Sequence, residues 1–550
     1  MRAGSGLRNN GGVPEPAAGS GSPPNEIPTW RKGLGSARRA HSTLMRHDPS
    51  QGDRSGALAS KSVAGVGGAQ GDIVLPRFAF PGARLLTLRP RVALRRPVYG
   101  LTALGVLFAG CLAVVVVAAA GPSVLVPRSR DAFPSWLSGP LHGLFGHLIS
   151  DPLTLSYGLS VVVLAMTVAY GIALASVRLL SMRTIVIAIV AFHAVLLLSP
   201  PLQLTDLFNY LGYARLGALH QLSPYTHVIA NARHDPIYGL ASWHNWTSPY
   251  GPAFTLLTYP LALMPLPVAY WVLKVATMLA SLGFIALVWR CARQLGRDPR
   301  FAVLFVAANP IFLIYELGGF HNDVFMLVPA MASISLLLDR RERWSGAALT
   351  LAIAVKFTAV LLLPFLLLAA RQSNRRQPIS QRRPVRLLAG MAVALVPLTA
   401  ASVAAFGFSF PNLSDQSTLL TMFSVPNVVG LLLGLGGGTA TLLRIAIVAV
   451  VIVIAVLIWR RRDWLTGAGW ATLALICSLA WLVPWYIVWL LPLAALGTSI
   501  RLRRATMVLM AFLVLTFIPA TSLVLLNLGF RQMTTPIDRA SAARQLRLEQ

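Results

Sequence analysis

The chain has 550 residues, 55% of them hydrophobic and only 12% charged, so a soluble protein of this make-up would have nowhere to put its apolar surface. It repeatedly runs for about 18 to 22 residues almost without charge, enough at 1.5 Å per residue to cross about 30 Å of hydrocarbon. The 47 Lys and Arg against 18 Asp and Glu give a net charge of +29, but the arginines cluster between apolar runs, which reads as positive-inside topology and contact with membrane lipids and excludes nucleic acid as the partner.

The predicted fold class is an all-α polytopic membrane protein; stretches such as 446–457 show none of the period-2 alternation of a transmembrane barrel. Residues 1–96 are rich in Gly, Pro, Ser, Ala and Arg and read as a disordered basic cytoplasmic tail without a cleavable signal. Residues 97–530 form the membrane domain. Its expected spans are 101–120, 155–176 and 184–199, and then, after a long outer loop, 268–289, 301–317 and 324–338. The stretch 254–266 is too short to cross. The segment 345–370 has cytoplasmic arginines on both sides, so it is expected to be a broken, re-entrant pair with Lys356 at its tip. Spans at 387–406, 439–459, 465–483, 485–496 and 505–526 bring the total to about eleven crossings plus two re-entrant segments. The C-terminal tail, 531–550, then falls outside.

Polar residues gather on the outer side of this scheme. The helix opened by Asp206 carries Asn209, Tyr210, Tyr213 and Arg215 on overlapping faces. It is followed by Leu222-Ser223-Pro224-Tyr225 and by Trp243-His244-Asn245-Trp246-Thr247-Ser248-Pro249-Tyr250-Gly251-Pro252. Aromatics interleaved with Asn, His and Thr suit a sugar site, where pyranose rings stack on aromatic faces. An interfacial aromatic belt explains the aromatics equally, but a belt has no need of the carboxylate. A second cluster, Glu316-Leu317-Gly318-Gly319-Phe320-His321-Asn322-Asp323, places an imidazole and a carboxylate at the membrane surface. Lys356, an ammonium inside apolar sequence, needs either a phosphate or one of the acids Glu316 and Asp323. Trp485 and Tyr486 open a short outer hairpin. The cysteines, Cys111, Cys291 and Cys477, have neither paired nor metal-ligand spacing, so neither a disulfide framework nor a zinc site is expected; no cofactor is expected, although His321 and Asp323 could together ligate a divalent cation.

These motifs in this order, ending with Val355-Lys356-Phe357 and Val483-Pro484-Trp485-Tyr486, resemble the polyprenol-phosphate-mannose-dependent α-1,6-mannosyltransferases of the type C glycosyltransferase superfamily. The resemblance covers about residues 100 to 530. It implies a multi-pass enzyme of the bacterial plasma membrane with its active site facing outside. Such an enzyme takes mannose from a polyprenyl-phosphate donor and adds it, with inversion, to a lipid-anchored mannan. Asp206 matches the superfamily's catalytic acid, although two or three spans precede its loop here, whereas many members carry it directly after the first. The resemblance and the residue chemistry together assign Asp206 as general base and Lys356 and His321 to the donor phosphate. Asn209, Tyr210, Arg215, Tyr225, Trp246, Tyr250, Asn322, Asp323, Trp485 and Tyr486 are assigned to the sugar or acceptor. Two other functions fit the same residues less fully. One is a sister transferase using another polyprenyl-phosphate sugar, such as arabinose. The other is a lipid-glycan transporter or flippase, which would predict internal repeats and polar residues at mid-membrane, neither of which the sequence shows.

Overall fold

The structure, a computed structural model, describes residues 96–126, 132–146, 151–203, 206–372, 382–412, 418–460, 463–529 and 534–550. Apart from Arg96, the expected N-terminal tail lies outside the described residues. The described residues are helical, with no strand among them.

In chain order the first part comprises α1 (Pro97–Ala119), the short α2 (Ser135–Ser138), α3 (Pro152–Ala175), α4 (Met182–Leu197), α5 (Asp206–Ala218), α6 (Pro252–Ala262) and α7 (Leu266–Gln294). The middle part comprises α8 (Pro299–Ala307), α9 (Asp323–Leu338), α10 (Glu342–Val355), α11 (Leu363–Arg371) and α12 (Arg382–Phe406). The last part comprises α13 (Val425–Leu432), α14 (Ala440–Trp459), α15 (Trp464–Ser478), α16 (Leu491–Leu496), α17 (Ile500–Phe517), α18 (Pro519–Asn527) and α19 (Pro536–Glu549). Side-chain caps start many of them: Asp151 accepts from the Thr154 amide at 2.7 Å, Ser181 from Thr184 at 3.0 Å and Thr535 from Asp538 at 3.1 Å.

Five of these helices (α1, α3, α7, α12 and α14) are long and apolar enough to cross a membrane, and the bent pair α17 and α18 makes a sixth if it is one broken span. The protein is therefore a multi-pass membrane protein. In α14 only 6% of the most apolar window is buried inside the protein, so its Val, Ile and Leu side chains need an apolar surrounding that lipid supplies.

Several expected continuous spans are broken, and local chemistry explains each break. The run 301–317 stops after α8, where Pro310 has no amide to donate and the Asn309 side chain caps the amides of Ile311 and Phe312 at 3.0 and 3.3 Å. One turn of π-helix, Phe312–Leu317, follows. The run 505–526 bends by 61° at Ile518, which Pro519 forces into an extended conformation. The stretch 485–496 is a tight turn, Pro484–Trp489, followed by α16. The expected tail at 531–550 instead carries α19. Around Lys356, by contrast, the expected break is found: the chain leaves α10, becomes extended and resumes as the turn Phe357–Leu362 before α11.

Most of the buried apolar residues, from α1 through α17, form one continuous core. Helices α10 and α12 cross closely at Gly346, where a Cβ would run into the Leu387 carbonyl oxygen, and Arg383 Nε meets Glu342 Oε1 at 2.5 Å along the same contact.

Candidate active site

Two loops bring the site together. The chain leaving α4 is fixed where the Leu202 amide donates to the Gly318 carbonyl at 2.8 Å and the Gln203 amide to the Leu125 carbonyl at 2.9 Å. Three residues later Asp206 opens α5, at the helix end where aligned peptide dipoles favour a carboxylate. Gly318 belongs to the turn that ends the π-helical segment. Behind both loops lies Lys274, fully buried, donating to the Ser199 carbonyl at 2.8 Å, with Nζ 3.9 Å from the Trp271 ring centroid and 4.9 Å from that of Phe320. It spends its charge on one carbonyl dipole and on aromatic faces.

The turn aims His321 at Asp206. Phe320 takes a left-handed conformation (φ +54°), and at Gly319 a Cβ would stand 2.7 Å from His321 Nε2, so glycine leaves the space the ring occupies. The imidazole Nδ1 then lies 3.2 Å from Asp206 Oδ2. Its Nε2 is buried and has no hydrogen-bond partner among the described residues. The Asn322 amide donates to the Tyr210 hydroxyl at 3.1 Å, which ties the turn to α5 a second time.

Asp323 begins α9. Its Oδ1 accepts from Lys356 Nζ at 2.6 Å and from Trp489 Nε1 at 2.5 Å. Of the partners the sequence allowed for Lys356, the structure thus supplies Asp323. The ammonium also faces the rings of Tyr486 and Trp489, 5.3 and 5.2 Å from their centroids. The break beside Lys356 is held by the Gly251 amide, which donates to the Val355 carbonyl at 3.1 Å.

These groups line one chamber of about 90 Å³. Asp206, His321, Asn322, Asp323 and Lys356 supply its polar wall; Tyr210, Tyr250, Trp246, Trp485 and Tyr486, with Trp243, Trp481 and Pro249, supply the rest. A second cavity, about 800 Å³ and mostly apolar, runs between α10 and α12 past Ile353, Leu388, Met391 and Leu395. It shares Pro249 with the chamber and is lined by Ala354 and Phe357 on either side of Lys356. The backbone around Lys356 therefore borders the groove, while its ammonium lies in the polar, aromatic chamber.

Three residues that the sequence pointed to lie elsewhere. Arg215 donates to both Asp235 oxygens, at 2.8 and 3.0 Å, and to the Ala262 carbonyl. Burial alone would raise the Asp235 carboxyl, but hydrogen bonds from Arg215, the Ile237 amide and His220 outweigh it and hold the group below the usual carboxylate range. Tyr225 donates to Thr255 and to the Tyr250 carbonyl and packs edge-on against Phe406. Asn209 is buried and accepts from the Ser242 amide at 3.2 Å. All three build the scaffold behind the chamber. Conversely, the sequence reading does not single out Trp481, although it stands four residues before Trp485 and eight before Trp489. Among the described residues no group of three His, Cys, Asp or Glu is placed to hold a metal ion.

A carboxylate paired with an imidazole, walls of indoles and phenols, a partly buried cation and an apolar groove alongside suit a membrane-embedded glycosyltransferase, the class that comparison with known proteins shows. Residues 105–372 match the family model described as alpha-(1->6)-mannopyranosyltransferase, N-terminal domain, and residues 417–535 match the MptB C-terminal domain. The chain is 31% identical to alpha-(1->6)-mannopyranosyltransferase A of Mycobacterium tuberculosis over 69% of its own length and 76% of that protein's. It is 25% identical to the protein of the same name from Corynebacterium glutamicum over 42% of its length and 51% of the relative's. A probable alpha-(1->6)-mannopyranosyltransferase of Mycolicibacterium smegmatis is 24% identical over 56% and 65%. The chain belongs to the alpha-(1->6)-mannopyranosyltransferase family. No solved structure matches it.

Proposed function

We propose that the protein transfers mannose from a polyprenyl-phosphate-mannose donor to a lipid-anchored mannan, forming α-1,6 linkages at the outer face of the bacterial plasma membrane. The observation that carries this reading is the junction at Lys356 between the apolar groove and the chamber containing Asp206. A prenyl chain fits the groove, its phosphate meets the ammonium, and the sugar enters the aromatic chamber.

In the proposed reaction Asp206 takes the proton from the acceptor 6-hydroxyl as its oxygen attacks the anomeric carbon. The bond from that carbon to the phosphate oxygen breaks on the opposite side, and the electron pair leaves on the polyprenyl phosphate. Lys356 and His321 stabilise the charge that develops there. A phosphate departs without a general acid, so one carboxylate suffices, unlike the carboxylate pair of a glycosidase. His321 also orients Asp206, and Tyr210, Trp246, Tyr250, Asn322, Trp485 and Tyr486 hold the sugars. The proposed membrane arrangement is type C-like, with about eleven crossings and partial insertions at α6 and around Lys356.

The test is transfer of labelled mannose from the polyprenyl-phosphate donor to a short α-1,6-mannoside in membranes carrying wild type or Asp206→Asn. Transfer by wild type alone supports both the reaction and the base. Consumption of a polyprenyl-phosphate pentose in place of mannose would overturn the donor, and full activity of Asp206→Asn would overturn the base.

A further inference from the structure

The last helix, α19, packs away from the main core in a small cluster of its own. Leu548 is buried there with Trp246 and Leu419, and Trp243 and Trp481 close over the same group. Trp243, Trp246 and Trp481 are the three indoles that line the chamber apart from Trp485. They form a connected wall, with ring centroids 5.0 Å apart between Trp243 and Trp246 and 6.4 Å between Trp243 and Trp481. Leu548 thus supports an aromatic surface that reaches the chamber.

Hydrogen bonds fix this contact at both ends of the helix. Asn245, between the two tryptophans in the chain, donates its backbone amide to the Leu548 carbonyl at 2.9 Å and its side-chain amide to the Arg547 carbonyl at 3.2 Å. Near the other end, Ser541 Oγ accepts from the Leu420 amide at 2.8 Å and Asp538 Oδ1 from Asn427 Nδ2 at 3.3 Å. The neighbouring Thr421 passes the restraint on: its amide donates to the Ala480 carbonyl and its hydroxyl accepts from the Leu482 amide, on either side of Trp481. Helix α19 therefore holds both halves of the wall, 243–246 directly and 480–482 through 419–421. Residues 536–549 lie beyond the span 417–535 that matches the family's C-terminal model, whereas the residues they hold lie within the matched spans.

We propose that α19 sets the shape of the pyranose-stacking wall formed by Trp243, Trp246 and Trp481, with Leu548 as its positioning residue, and thereby sets how tightly the glycan acceptor is held. The inference rests on the transferase reading for the identity of the acceptor. Trp243, Trp246 and Trp481 line the chamber and none of them is among the groove's lining residues, so the wall serves a sugar and not the prenyl chain.

The experiment uses the full-length enzyme and three variants. Leu548→Asp puts a carboxylate among the indoles, Leu548→Met conserves the contact, and Leu546→Asp makes the same charge change on an exposed residue of the same helix (Leu546 is 40% exposed). Loss of a positioned aromatic contact predicts that Leu548→Asp raises the acceptor KM about tenfold while kcat and the donor KM stay within about twofold. Leu548→Met and Leu546→Asp should behave as wild type. An unchanged acceptor KM in Leu548→Asp, or a joint loss of kcat and both KM values, overturns the proposal. Binding of an α-1,6-mannotriose, followed by tryptophan fluorescence, separates this from the transferase reading. If wild type binds without transferring, the reaction is wrong and the wall is judged on whether Leu548→Asp weakens binding. If wild type binds no mannoside, both fall.

Discussion

The imidazole of His321 lies flat on the indole of Trp485, with ring centroids 4.0 Å apart and planes 9° from parallel, while its edge meets Asp206 at 3.2 Å. Stacking fixes the plane of the ring, so the only adjustable contact is the one to the carboxylate. A carboxylate only accepts, so Nδ1 carries the proton that faces it. His321→Phe keeps the stack and removes that bond. A hydrogen bond to a charged group contributes about 1.5–3 kcal/mol, so kcat should fall about 10- to 100-fold with the donor KM changed less. Steady-state kinetics on His321→Phe, Asp206→Asn and the double variant would show how much of the ring's effect passes through the carboxylate: His321→Phe should cost clearly less in the Asp206→Asn background than in wild type, the remainder being its contribution at the phosphate.

Gly319→Ala should reproduce most of the His321 loss without touching a polar group. The added Cβ would stand 2.7 Å from Nε2 and must push the ring off its position. Gly283→Ala in α7, where a Cβ meets nothing within 4 Å, is the matched control and should retain full activity. Equal rates for the two would show that the ring's placement is unimportant.

Lys356→Met should cost both stability and activity. Asp323 is 1% exposed, and removing the ammonium leaves its charge with the Trp489 N–H alone, a loss of about 3–5 kcal/mol for a broken buried pair. The double variant Lys356→Met with Asp323→Leu should regain thermal stability in a detergent melting assay and remain inactive. Recovered transfer in the double variant would mean that Lys356 serves only Asp323.

The Arg215–Asp235 pair predicts a pH dependence of stability. The Asp235 carboxyl is held below its unfolded value of about 3.9, so its contribution is complete above that pH and is lost as pH falls through the lower folded value. Wild type should lose more melting temperature between pH 6 and pH 3 than Asp235→Asn, which should already be less stable at pH 7 because Arg215 is left largely buried and unpaired. Parallel melting curves would contradict the assignment.

Composition was enough to read the helical membrane class, and the residues converging on the chamber were legible as clusters: Asp206 with Tyr210, then His321 to Asp323, then Lys356. Their identities made them costly anywhere except around a polar cavity. Arg215 and Tyr225 do not line the chamber: a buried scaffold uses the same residue types as a sugar site, and only distance separates an arginine bound to Asp235 from one lining a cavity. The breaks at Asn309 and Ile518 were hidden by unbroken hydropathy, although Pro310 and Pro519 marked both. The docking of α19 could not be read at all. It depends on Asn245 meeting Leu548 across about three hundred residues, and no local pattern carries that.

The carboxylate beside Lys356 also bears on turnover. On the proposed reading the donor is a phosphate diester with a single negative charge, whereas the departing polyprenyl phosphate is a monoester that carries up to two. Asp323 shares the same ammonium at 2.6 Å and repels each of them in proportion to charge. A site with Lys356 alone would hold the spent carrier more tightly than the loaded one and stall. On that reading a carboxylate at Asp323 would narrow the difference and help to clear the site for the next carrier.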